Sequence, residues 1–479
     1  MATVSSAGIG SGLDVNSIIT QLMAIERQPL TKLQTKATTI QSTVSEYGKI
    51  KSDISTLNDL ATKLASQTTW AQTTANSSST AVSAATNGSA VGTYSVEVQS
   101  LASVQTLATG VVASSTALAG AGNLHVELGT WGAGQTTFTA SPTTPAVDIT
   151  VSATDTLADV RDKVNAAGAG VTALIMTDAN GSRLLLRSNA TGAANGFRTT
   201  VTDADGVNND ASGLSRLAFD PSAGVSVMTQ NQVAANAAAT VNGLAVSSTS
   251  NTLSSIVDGL TLNLSALTTG PVTVNVVADT AALKKTVTDF AAAYTAVNTL
   301  IATDTKYNPT TKTGGILQGD SSASGLQRTL RTLIGGASSA SSTFGHLSDL
   351  GLQLQGDGSL TVNSTKLDSA LGNLAEAKKA FANSNPADPT QDGFAKRFRV
   401  TTDSMLGIDG VLTTRTDGLG QQLQRNETDQ GNLQTRLDAT EARLRAQYTA
   451  LDATMARLTS QSAYVTQQIA AWTANSSSK

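Results

Sequence analysis

An apolar residue recurs at every seventh position near the end of this chain. Leu437, Leu444, Leu451, Leu458, Val465 and Trp472 keep the spacing without a miss, and Tyr448, Met455, Ser462 and Ile469 form a companion row. No proline or glycine interrupts residues 432–479. The pattern specifies a helix with one sticky stripe. Over 432–472 it would be about 60 Å long at ~1.5 Å per residue, more than a compact domain needs. The stripe therefore requires a partner helix, from the chain's own N-terminal segment or from another subunit. Without one, the segment is expected to fray, because burial does not offset the entropy of ordering it.

The N-terminal region carries a second stripe. Leu33, Ile40, Tyr47, Ile54 and Ala61 fall seven apart, with Ile50, Leu57 and Leu64 beside them. For residues 44–64 this predicts an ordinary core helix. Pro29 should break or kink the helix entering from Val15–Ile25. Further helices are predicted over Leu283–Ile301, capped by Asp279 or Thr280; around Leu326–Leu333, ended by Gly335–Gly336; and from Leu367, Leu371 and Leu374.

The middle reads differently. Residues 71–280 hold six basic and thirteen acidic side chains, and alternation replaces the helical period. Tyr94, Val96 and Val98 mark a strand; beyond the middle, Leu352–Val362 reads as a hairpin around Gly356-Asp357-Gly358. Val151–Val160 runs from strand into helix, with Thr156 and Asp159 at capping-box spacing. A hairpin over Val171–Thr177 and Arg183–Ser188 follows. A related pattern at Val246–Ile256, after the turn Asn242-Gly243, predicts a second strand–helix–strand unit. Residues 106–234 are rich in Ser, Thr, Ala and Gly.

Catalytic chemistry finds little footing. The chain has no cysteine, which excludes disulfides and thiolate sites. His125 and His346 are its only imidazoles, and neither has metal-ligand spacing. Gly8-Ile-Gly-Ser-Gly12 is not a dinucleotide fingerprint, Gly48-Lys49 is not a phosphate loop, and Gly319–Ala323 is half a nucleophile elbow. Asp203–Gly206 reads as a polar turn rather than a calcium loop. No cofactor, metal or catalytic residue is expected. The net charge of −4 argues against nucleic acid. No apolar run reaches membrane-spanning length, and no cleavable signal peptide is visible at the N-terminus.

Both ends resemble one family, the flagellar filament cap or flagellar hook-associated protein 2 (FliD) proteins. The resemblance lies in Gly8-Ile-Gly-Ser-Gly-Leu-Asp14 (with Gly8, Gly10, Gly12, Leu13 and Asp14), Val15–Met23 and Ile25-Glu-Arg-Gln-Pro-Leu30 (with Ile25, Glu26 and Pro29). At the other end it lies in Asp409–Asp417, Glu441–Asp452 and Met455–Gln468. Gly92–Val98 resembles the family's head domains.

The resemblance implies an α+β multidomain fold: a terminal α-helical coiled-coil leg and a helical-bundle domain, with two inserted β-rich head domains. Its expected division is a leg segment (1–42), the first helix of the helical domain (43–70), an inner head domain (71–105 and 235–280), an outer head domain (106–234), the rest of the helical domain (281–420) and the C-terminal leg (421–479). It further implies a non-enzymatic homo-oligomer, a closed ring on the distal filament tip. There it would retain flagellin exported by the type III route and promote its insertion. The C-terminal helix would also bind an export chaperone. The docking stripe would be Leu437, Leu444, Tyr448, Leu451, Met455, Leu458, Val465, Ile469 and Trp472. Another axial protein (flagellin or a hook–filament junction protein) and a surface adhesin with a glycan-binding β head are the alternatives.

Overall fold

The computed structural model describes residues 14–88 and 90–476. The helices are α1 (Val15–Glu26), α2 (Gln28–Ala65), α3 (Gln67–Trp70), α4 (Leu157–Ala167), α5 (Thr280–Thr305), α6 (Ser321–Gly335), α7 (Ser364–Gly372), α8 (Leu374–Ala382), α9 (Phe394–Leu406) and α10 (Val411–Ser476). Two compact units result: residues 1–70 with 280–479, and residues 71–279.

The first unit is helical. In α2, Ile40, Tyr47, Ile50, Ile54, Leu57, Ala61 and Leu64 are all buried, so the heptad row is core. They meet Leu283, Val287, Phe290, Tyr294, Val297 and Ile301 of α5, Leu326 and Leu330 of α6, and Phe394 and Phe398 of α9. Phe398 receives Phe290 edge-on at 5.1 Å between ring centres. Trp70 stacks on Phe381 at 5.5 Å, and its indole N–H donates to the Leu64 carbonyl. The Leu352–Leu354 and Leu360–Val362 strands form the expected hairpin.

Three local outcomes differ from expectation. The chain breaks at Arg27, two residues before Pro29, which sits harmlessly in the first turn of α2 where its missing N–H has no partner to lose. Leu374 begins a helix of its own, α8, after a break at Asn373. And α10 starts at Val411, not near 432, carrying Gly418, Gly420 and Gly431 within it; its 66 residues span about 100 Å. The positions 42/43 and 420/421 therefore fall inside unbroken helices, and Ile40 and Leu423, on the far side of each, still pack in the helical core.

A buried polar junction joins three of these helices. Asp320 caps α6 by accepting from the Ser322 and Ala323 N–H groups. Its other contacts are the Tyr47 hydroxyl of α2 at 2.8 Å and the Arg415 guanidinium of α10 at 2.7 Å. Burial pushes the Tyr47 hydroxyl up to about 12, helped by the Asp320 carboxylate. Burial likewise takes Tyr294 to about 12; its hydroxyl has no hydrogen-bond partner among the described residues. For both groups the folded value lies above the unfolded one. Their contribution to stability is complete below pH ~10 and is lost as pH rises toward 12. Alkaline unfolding followed by circular dichroism should show this decline, with part of the tyrosinate absorbance appearing only as the helical signal falls. Phe at both positions should flatten it.

The second unit is β-rich with two separate cores. One lies between a five-stranded antiparallel sheet (Thr73–Ser77, Val272–Ala278, Gly92–Ser100, Ala237–Val241, Leu244–Ser248) and a three-stranded one (Thr252–Val257, Leu260–Leu264, Val82–Thr86). Val82, Val96, Val98, Leu262, Val274 and Val276 fill it. The other core spans 107–228, where α4 packs between a six-stranded and a four-stranded sheet through Val160 and Val164. The Thr156–Asp159 capping box is present.

The Asn242-Gly243 turn has both residues at positive φ (49° and 80°), the pairing a type I′ hairpin requires. The predicted helix after it does not form; Thr252–Val257 is a strand. Where α4 has Asp159 to complete its box, the second copy has Ser255, and Gly259 at φ 76° turns the chain after only six residues. The Thr252 hydroxyl bonds across the ladder to Asn263 instead.

Candidate functional site

The leg is built from α1 and the middle of α10. Asp14 caps α1, its carboxylate accepting from the Ser17 N–H at 3.0 Å. The cap fixes the first turn and so the azimuth of the row Val15, Ile19 and Met23, which is buried against Leu437. Leu30, Leu433, Leu444 and Tyr448 close the edges of this small core.

Charges lock the pair. Arg27 donates to Glu441 Oε2 at 3.0 Å, and Arg445 to Glu441 Oε1 at 2.9 Å. Arg445 also reaches Asn16 Oδ1 at 3.4 Å. The hydrogen bond from Arg445, more than the charge of Arg27, holds the Glu441 carboxyl below the usual range. These pairs are exposed and orient the helices more than they stabilise them.

The heptad stripe thus divides in two. Leu437, at 3% exposure, is sealed inside the chain, and Leu444 and Tyr448 are half-buried beside it. They belong to the internal core of the leg, a correction to their place on a free docking row. Beyond them the stripe is bare: Leu451 is 47% exposed, Leu458 51% and Trp472 82%, with Met455, Val465 and Ile469 similarly open. Each described side chain from Arg457 to Thr473 is exposed. The structure gives this segment as helix, yet its apolar row has no cover among the described residues.

The N-terminal motif also divides. Asp14 is the cap, while Ile25, Glu26 and Pro29 lie on the exposed side of the α1–α2 junction. Gly8, Gly10, Gly12 and Leu13 lie outside the described residues. Sequence reasoning missed Arg27, Glu441, Arg445 and Asn16. The i, i+4 spacing of Glu441 and Arg445 was the available signal. Among the described residues no three His, Asp or Glu side chains are grouped to hold a metal. His125 pairs with Asp148 at 2.8 Å on a strand surface, and His346 lies 3.8 Å from Asp349. No described helix is long and apolar enough to cross a membrane.

Comparison with known proteins gives one consistent result. The family described as flagellar hook-associated protein 2 C-terminus matches residues 234–460, and flagellar hook-associated protein 2 N-terminus matches 11–105. A flagellin hook IN motif matches 133–190. Flagellar hook-associated protein 2 of Escherichia coli (strain K12) is 32% identical over the full length of both chains. B-type flagellar hook-associated protein 2 of Pseudomonas aeruginosa is 31% identical over 99% of each. The crystal structure of the D1-D2-D3 domains of the E. coli flagellar cap protein FliD superposes with a TM-score of 0.59. It is 30% identical and covers 78% of this chain and 99% of that one.

Proposed function

This chain belongs to the flagellar hook-associated protein 2 family, and from that premise we propose that it caps the distal end of the bacterial flagellar filament. The observation that carries the mechanism is the uncovered row Leu451, Met455, Leu458, Val465, Ile469 and Trp472 on the far end of α10. An apolar helical row of this length is stable when other helices pack on it. At a filament end those helices belong to neighbouring copies and to flagellin subunits. The cap holds exported flagellin in place and promotes its insertion.

The work is mechanical, with no bond made or broken, so no residue is catalytic and no cofactor is required. The leg is formed by 1–42 and 421–479, the helical domain by 43–70 and 281–420. The two cores of the β unit act as an inner head domain (71–105 and 235–280) and an outer one (106–234). Copies close into a ring, and before export the same bare row of α10 is the surface a chaperone would shield.

Electron microscopy of flagellar tips in a strain lacking this chain, with flagellin measured in the medium, tests the reading. Short or missing filaments with leaked flagellin are expected, restored by the intact gene. Normal filaments without leakage would refute it.

A further inference from the structure

Sulfur chemistry in this chain falls to methionine alone. There are six methionines and no cysteine, so no thiol competes for an oxidant. The fold sorts them. Met23 is buried in the core of the leg, Met228 in the core of residues 107–228, and Met405 in the helical core. Met176 and Met455 are open, at 60% and 38% exposure. Met1 lies outside the described residues. Met176 stands on the strand Val171–Asp178, pointing away from the core that Val171 and Ala173 fill. Met455 is placed differently. It sits in the bare row of α10, one turn from Leu451 and one turn from Leu458.

That position makes its oxidation state matter. A thioether is apolar and flexible, and it fills an irregular helical seam well. Its sulfoxide is polar and accepts hydrogen bonds strongly. In water the change costs the free chain little, because the side chain is already solvated. Once other helices cover the row, the sulfoxide oxygen is taken out of water and set among apolar side chains, where it loses its hydrogen bonds.

We propose that Met455 is an oxidation-sensitive element of the docking row: conversion of its thioether to the sulfoxide by a peroxide-class oxidant blocks docking of the free chain. The sulfur lone pair attacks one peroxide oxygen, an S–O bond forms and the O–O bond breaks. The departing hydroxide takes the proton left on the transferred oxygen and leaves as water. Sulfur is oxidised by two electrons and the peroxide is reduced by two. Covering the row shields the sulfur, so the chain is sensitive before it docks and protected afterwards. Enzymatic reduction of the sulfoxide restores the apolar row. The inference rests on the reading of this row as the docking face and adds a regulation to it.

The test treats the purified full-length chain with hydrogen peroxide, which oxidises thioethers and leaves the indole of Trp472, on the same row, intact. Oxygen addition is mapped by peptide mass spectrometry, and binding to sheared flagellin filaments is measured by co-sedimentation. Met455 and Met176 should convert first, with Met23, Met228 and Met405 following only when the fold opens. Binding of the treated chain should fall about tenfold or more, with circular dichroism unchanged, and methionine sulfoxide reductase should restore it. Met176→Leu should lose binding on treatment as the unaltered chain does. Met455→Leu is compared with itself: whatever it binds untreated, peroxide should not lower it. Full conversion of Met455 with binding undiminished overturns the inference. So does an equal loss on treatment in Met455→Leu, which would put the damage at another side chain. Neither result touches the deletion-strain phenotype, so failure of the oxidation reading and failure of the capping reading are told apart.

Discussion

Replacing Leu451 and Leu458 by Asp should abolish filament capping while leaving both folded units intact. These side chains are about half exposed and have no cover among the described residues, so a carboxylate costs little in the free molecule. Once other helices pack on the row, each Asp would be buried in an apolar seam without a cation. That costs several kcal/mol per site, enough to remove binding altogether. Cells carrying the variant should leak flagellin and make stunted filaments, as the deletion does. Circular dichroism and thermal unfolding of the purified variant should match wild type. The contrasting site is Leu437: Asp there would break the α1–α10 core and unfold the leg itself. Normal filament growth by the double variant would reject the row as the docking surface.

Asp320→Ala should be the most damaging single polar change in the helical unit. It removes the cap of α6, worth about 1 kcal/mol, and strands the buried Tyr47 hydroxyl, at about 1–3 kcal/mol. Arg415 loses its carboxylate as well. A loss of about 3 kcal/mol is expected, read as a midpoint shift in urea unfolding. In a Tyr47→Phe background the same change should cost less, since no hydroxyl remains to be stranded. Burial alone would raise the Asp320 carboxyl, but the Tyr47 and Arg415 hydrogen bonds outweigh it and the net shift is downward. The folded value lies below the unfolded one. The stabilisation is therefore present above the unfolded carboxylate range and is lost as pH falls through the folded value. Below that pH the gap between wild type and Asp320→Ala should close.

Period was the most legible property of the sequence. Seven-residue rows placed α2 and α10, and alternation placed the Val171–Ser188 hairpin. The capping box at Thr156–Asp159 was correct because both partners are local. The second strand–helix–strand unit failed for the same reason: the pattern resembled the first, but Ser255 replaced the acid and Gly259 cut the run short. What divides the heptad row at Tyr448 is not written in the row. It depends on where α1, capped at Asp14, meets α10. The Tyr47–Asp320–Arg415 junction joins residues 273 and 95 positions apart, so no window on the sequence brings them together.

The three glycines inside α10 give the long helix one more property. A Cβ at Gly418, Gly420 or Gly431 would touch nothing within 4 Å, so close packing does not demand their absence of a side chain. Each lowers local helix stability by about 1 kcal/mol relative to alanine. Intrinsic helix preference is therefore weakest between Gly418 and Gly431, and the burial of Leu419 and the packing of Leu423 against the helical core hold the shaft there.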